Sequence, residues 1–246
     1  MKILVPIKRV VDHAVRVRVV DGAVAREGVR MAINPYDEVA LEAALRLRES
    51  GLATEIVAVT LGAARAVEQL RTARAMGADR LTHVVHEGPQ DALAVARCLA
   101  AVARREGPGL ILAGKQDTDT DAGAVGPMLA GLLGWAQATA ASSLKVEGHQ
   151  AFVTREVEGG TQDLRLRLPA VVTCELNLAQ PRKAPLPAVI KAKAAPVEAL
   201  TPDGLGIDMA LGYEVVSLSE PPPRAGLGVR VDSPEALASI LREKGF

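Results

Sequence analysis

EIVAVTLGAARAVEQLRTARAMGADRLTHVVHE, residues 55–87, sets two short apolar runs around one amphipathic segment. EIVAVTLG is apolar at successive positions, as a parallel strand covered on both faces must be. ARAVEQLRTARAMGAD places its apolar side chains at helical spacing, and Gly77 closes it. RLTHVVHE repeats the strand character. Strand, helix and strand joined by short turns form a crossover unit, which makes the two strands parallel.

The same alternation extends both ways. ILVPI (3–7) reads as a buried strand. NPYDEVALEAALRLRES (34–50) reads as a helix, with Pro35 at its start, acids in its first turn and Gly51 past its end. PQDALAVARCLAAVARREG (89–107) is a further helix and GLILAG (109–114) a further strand. A helix is predicted from about Asp121 to Leu133. The pattern predicts an α/β fold, a doubly wound and mostly parallel sheet of the adenine-nucleotide-binding type. VRVRVV (15–20) alternates with period two and meets the turn DG (21–22), predicting a hairpin appended to the first strand. Residues 141–176 read as antiparallel strands extending the same sheet, turned at EGHQ and EGGTQ.

Three regions follow. Residues 1–176 form the α/β domain. Residues 177–206 hold Pro181, Pro185, Pro187, Pro196 and Pro202 with little periodicity, as a functional loop or linker would. Residues 207–246 read as an arm, extended through SLSEPPPRAGLGVRV (217–231), ending in a short helix with Ser233 as N-cap and Pro234 at its first position.

Composition excludes several functions. Lys+Arg and Asp+Glu each number 29, so nothing favours nucleic acid or an acidic membrane. No apolar run is long enough to span a bilayer, and MKILVPIKRV lacks a signal peptide's apolar core, so a cytoplasmic chain is expected. Cys98 and Cys174 read as buried free thiols, and the four histidines show no metal spacing. There is no acid/base or nucleophile constellation, so a chain without a catalytic site of its own is expected. Aromatics are only 2% of residues, so a large planar cofactor would need a partner to supply much of its site.

Ligands of open α/β sheets bind beyond the carboxyl ends of the strands, beside helix N-termini. Four sequence points fall there: Val5 to Lys8, Asn34 to Asp37, Thr60 to Gly62, and the loop GKQDTDTDAGAVGP (114–127). The loop's glycines permit close backbone approach to a phosphate, while its three aspartates oppose one. It matches neither G-x-x-x-x-G-K-[ST] nor G-x-G-x-x-G. On the residues alone, a nucleotide site and a merely capped, solvated turn stand level.

Five segments in order carry a resemblance: VPIKRVVD; MAINPYDEVALEAALRLRE; RTARAMGADR; GKQDTDTDAGAVGP; and REVEGGTQDLRLRLPAVVTCELNLAQPRKAPLPAVIKAK. Over essentially its whole length the chain resembles the β subunit of electron transfer flavoproteins. The resemblance implies a heterodimer in which an α subunit holds most of the redox FAD and this chain buries a structural AMP. The implied AMP contacts are Pro6, Asn34, Pro35, Tyr36, Asp37 and Leu61. With them come the loop residues Gly114, Lys115, Gln116, Asp117, Thr118, Asp119, Thr120, Asp121, Ala122, Gly123, Ala124 and Val125. It also implies a partner-recognition loop in which Leu186, flanked by Pro185 and Pro187 and followed by Lys191, anchors flavin dehydrogenases such as the acyl-CoA dehydrogenases of fatty acid β-oxidation. Electrons would pass on to a membrane quinone oxidoreductase. The family's flavin-facing aromatic position matches His13, a departure. The C-terminal arm would pack on the α subunit.

Two alternatives stay open. Bifurcating members hold a second FAD in place of AMP, with a loop resembling G-D-T-A-Q-V-G-P; this chain departs from it at Ala122, Gly123 and Ala124. A stand-alone regulator of the stress-protein kind shares the α/β core but carries a G-x-x-G-x(8–10)-G-[ST] loop, which is missing here.

Overall fold

In the computed structural model, which describes residues 1–222 and 228–246, the first strand, Lys2–Pro6 (β1), buries Ile3, Leu4 and Val5 completely. Arg9–Val11 (β2) follows, then a hairpin of Val19–Val20 (β3) and Ala23–Val24 (β4). Asp21 and Gly22 make its turn with φ of 50° and 73°, the left-handed pair that suits strand twist. The hairpin pairs within itself instead of extending β1, and Met31–Ile33 (β5) pairs antiparallel with β2.

Pro35–Glu49 (α1), Glu55–Gly62 (β6), Val67–Met76 (α2), Arg80–Val85 (β7), Ala92–Glu106 (α3) and Leu110–Gly114 (β8) realise the predicted alternation. Asp91 caps α3 by accepting from the Ala94 N–H at 2.7 Å, and Gly107 ends it in a left-handed conformation. Val125–Leu133 (α4) starts four residues later than the expected Asp121. Asp121 and Gly123 take φ of 55° and 59°, which no right-handed helix accommodates.

Ala136–Glu147 (β9), Gln150–Val157 (β10), Gly160–Arg167 (β11) and Ala170–Cys174 (β12) come next. The expectation of purely antiparallel strands holds for β10 and β11 only; β12 runs parallel to both β8 and β9. All five residues of β12 are buried, as a strand covered on both faces requires. The proline-rich stretch contains more order than its sequence suggests: Leu186–Ala192 (α5) is helical and Glu198–Leu200 (β13) pairs parallel with β7. Pro234–Glu243 (α6) ends the chain, with the Ser233 hydroxyl accepting from the Ala236 N–H as predicted. The extended reading of residues 217–231 lies partly outside the described residues.

The sheet runs β11-β10-β9-β12-β8-β1-β6-β7-β13. Alternate residues of each central strand feed opposite layers. Ile3, Val5 and Ile56 pack with Leu41, Leu45 and Leu70 of α1 and α2, while Leu4, Val57 and Ile111 pack with Leu99, Leu129 and Ala130 of α3 and α4. From β1 the chain winds through β6 to β7, then returns to place β8 on the other side of β1. The winding direction therefore reverses between β1 and β8, and this switch point opens a crevice at their carboxyl ends.

α4 reaches the sheet closely because Gly126 has no side chain. A Cβ there would lie 2.2 Å from Cγ2 of Thr173, a stiff side chain that is 1% exposed. Gly126→Ala is expected to destabilise the fold by about 1–3 kcal/mol. Thr173→Ser in that background should recover most of it, keeping the hydroxyl that accepts from the Ala140 N–H while deleting the clashing methyl. Chemical denaturation checks both; no recovery in the double variant would show that this contact does not fix the glycine.

Candidate functional site

Asp37, in the first turn of α1, is 6% exposed and reaches both strands at the switch point. Its Oδ2 accepts from the Lys8 backbone N–H at 2.8 Å, just past β1, and its Oδ1 from the Gly114 N–H at 3.1 Å, at the end of β8. Asn34 completes the knot. Its backbone N–H donates to the Lys8 carbonyl at 3.0 Å and its side-chain amide to the Gln116 carbonyl at 2.8 Å. Gly114 is held to glycine by this crowding, since a Cβ would sit 2.3 Å from Asp37 Oδ1 and 2.8 Å from Tyr36 Cβ. Burial pushes the Asp37 carboxyl up to about 7, against the N–H donors that favour its charged form.

The acidic loop has its own counter-charge. Lys8 Nζ donates to Asp117 Oδ2 at 2.8 Å and to Asp119 Oδ1 at 2.6 Å. Burial opposes the lysine's charge, but its bonds to the two carboxylates outweigh that and raise its pKa. Burial likewise opposes the charge of Asp117, yet the Lys8 ammonium and the Thr120 donors bring its carboxyl down to about 2. Asp117 Oδ1 accepts from the N–H groups of Thr120 and Asp121 at 2.9 and 3.1 Å, so this side chain also shapes the turn. Asp121 accepts from the Gln116 amide. Each aspartate thus has a partner within the chain.

What the loop leaves free is its backbone. No side chain caps α4, and among the described residues the N–H groups of Ala122, Gly123, Ala124 and Val125 have no acceptor. Asn34 Oδ1 is buried and unpartnered beside the same loop. The loop therefore offers successive free N–H donors at a helix start, and Asn34 adds one buried acceptor.

The structure brings Pro6, Asn34, Pro35, Tyr36, Asp37 and the loop Gly114 to Val125 to one edge of the sheet, with Leu61 at the same edge on β6. His13 is exposed, its ring 3.8 Å from the Asp12 carboxylate, and among the described residues it makes no hydrogen bond or ion pair to the loop. A concavity of about 370 Å³ lies at the opposite end of the strands, lined mostly by apolar side chains with His149, away from these groups.

A second feature lies on α5. Leu186 opens this helix and is 71% exposed; Pro185, at its N-cap, and Pro187 and Lys191 are exposed too, as is Ile190. Sequence reasoning passed over two contributors. Lys8 falls among the strand-end points, but its pairing with residues 109 and 111 positions away has no local signature. Arg182 forks onto the buried Glu42; an acid set among the apolar residues of α1 was its only trace.

A mostly parallel sheet, wound in both directions from β1 and covered by helices on both faces, places the chain among the doubly wound α/β folds. Its sequence matches the Electron transfer flavoprotein domain over residues 21–205. It is 50% identical over 246 residues to the electron transfer flavoprotein subunit beta of Bradyrhizobium diazoefficiens, covering 99% of this chain and 98% of that one. Identity is 48% over 250 residues to the mitochondrial subunit beta of Oryza sativa subsp. japonica, with coverage of 99% and 98%. To the subunit beta of Homo sapiens it is 44% over 252 residues, covering 100% and 98%. The chain belongs to the electron transfer flavoprotein family, with its β subunits.

The Asp37 shift has a defined sign. Its folded value lies above the ordinary carboxyl value of 3.8, so the folded chain holds this proton where the unfolded chain has lost it. That stability is complete below about pH 4 and is lost as pH rises through about 7. Between about pH 5 and 8, the melting temperature of the unsubstituted chain should therefore fall more than that of Asp37→Asn. Parallel curves would refute the assignment.

Proposed function

We propose that the chain is one half of a heterodimeric electron carrier and holds a structural AMP at the switch point. The observation that supports this most is the uncapped start of α4, together with the unpartnered Asn34 Oδ1 at the Gln116 end of the same loop. Free amides at Ala122 to Val125 suit a phosphate, and a buried acceptor suits a hydroxyl or amino donor. Asp117 and Asp119 do not oppose the phosphate, because Lys8 already binds them. Pro6, Tyr36 and Leu61 would wall the nucleotide. AMP is favoured over a second FAD because the loop has Ala122, Gly123 and Ala124 where the two-FAD pattern has Thr, Ala and Gln.

The partner is an α subunit that carries most of the FAD, and that flavin supplies the redox chemistry when bound. Electrons enter from flavin dehydrogenases such as acyl-CoA dehydrogenases and leave to a membrane quinone oxidoreductase. This chain's residues bind the nucleotide, close the assembly and present a docking surface. Apolar side chains left exposed near the carboxyl end, Val216 at 93%, Val229 at 80% and Phe246 at 88%, with Leu237 and Leu241 of α6, are the surface for the α subunit. His13 would meet the flavin edge across that interface. Leu186, stiffened by Pro185 and Pro187, would be the anchor for dehydrogenases, since a preordered leucine loses little entropy on docking.

Co-expression with the family's α subunit tests the assembly. A yellow heterodimer with a bound-flavin spectrum is expected, and Leu237→Asp/Leu241→Asp should cut its yield sharply. Absence of a flavin-containing complex with the unsubstituted chain would overturn the proposal.

A further inference from the structure

The segment that leads into α5 is tied to α1 by a cluster of charged groups. Glu42, Arg46 and Glu49 share one face of α1, and each reaches residues 180–182. Arg182 grips the Glu42 carboxylate with two parallel bonds, Nε to Oε2 at 2.7 Å and Nη2 to Oε1 at 3.0 Å, and its backbone N–H adds a third at 3.2 Å. Glu49 takes the other edge of the guanidinium, at 2.5 and 3.1 Å. Arg46 bridges Glu42 to the Gln180 carbonyl.

An ordinary surface ion pair contributes little. This one differs in three respects: the fork is bidentate, the Glu42 side chain is only 5% exposed, and four charged groups share it. Four residues beyond Arg182 stands Leu186. Past it, α5 packs on α2 and buries Ala192. The exposed leucine is thus held between two fixed points, the Arg182 fork and the seat of α5.

We propose that Arg182 is a positioning residue for partner docking: its fork on Glu42 and Glu49 fixes the approach to Leu186, so that the leucine meets a dehydrogenase already ordered. This rests on the reading of Leu186 as the docking residue. Without the fork, residues 183–185 and the first turn of α5 must be ordered at each encounter, and affinity falls while electron transfer within the complex does not.

The test uses the αβ heterodimer with an acyl-CoA dehydrogenase as electron donor. Arg182→Gln should raise KM for the carrier about tenfold with kcat and flavin content unchanged, the cost of re-ordering a few side chains. Amide hydrogen exchange over residues 183–193 should accelerate by a similar factor, a readout that needs no partner. Arg182→Lys, which keeps the charge but loses the fork, should fall between and guards against a folding defect. Leu186→Ala calibrates docking itself. If Leu186→Ala raises KM and Arg182→Gln does not, the positioning role is wrong. If Leu186→Ala changes nothing, the docking reading fails instead. Unchanged exchange in Arg182→Gln would overturn the clamp independently of either.

Discussion

One buried carboxyl group holds the two halves of this sheet's winding together. Asp37 accepts from the backbone at the end of β1 and at the end of β8, the strands between which the chain changes direction. Parallel strands leave unpaired N–H groups at their carboxyl edges, and a switch point leaves them facing a gap. A single acidic side chain on the intervening helix closes that gap, and the same contact fixes α1, Gly114 and the start of the loop. That carboxyl group sets where the loop begins, at Gly114, while Asn34 and Lys8 hold it further along.

The loop illustrates how charge and chemistry can be separated in a short segment. Its side chains are acidic and its free backbone groups are donors, so the two point to opposite ligands if read from sequence alone. The fold resolves the conflict by turning Asp117 and Asp119 onto Lys8 and leaving the amides at the start of α4 open. α1 makes two separate sets of ties. Its start joins β1, β8 and the acidic loop through Asn34 and Asp37, and its later turns hold Arg182 through Glu42 and Glu49.

Local signals carried most of the architecture. The apolar runs at β1, β6, β7 and β8, the start of α1 at Asn34 and Pro35, and the cap at Ser233 are dictated by residues within a turn of each other. Where the reading departed from the structure, the cause was a side-chain turn before α4 and distant neighbours in the sheet. α4 begins late because Asp121 and Gly123 take left-handed conformations imposed by the Asp117 turn. β12 is parallel because its neighbours β8 and β9 supply both edges, and β13 is a strand only because β7 offers it an edge. The placement of Pro6, Asn34 to Asp37, Leu61 and the loop at the carboxyl ends of the strands followed from the topology. The Lys8 and Arg182 pairings did not, since they join positions more than a hundred residues apart.

The central claim is that the switch point grips an adenine nucleotide for structure and leaves the redox flavin to the partner subunit. Denaturing the purified heterodimer and quantifying the released nucleotides addresses it most directly. The account predicts equal amounts of FAD and AMP. Release of FAD at twice that level with no AMP, or of FAD alone with no second nucleotide, would contradict it.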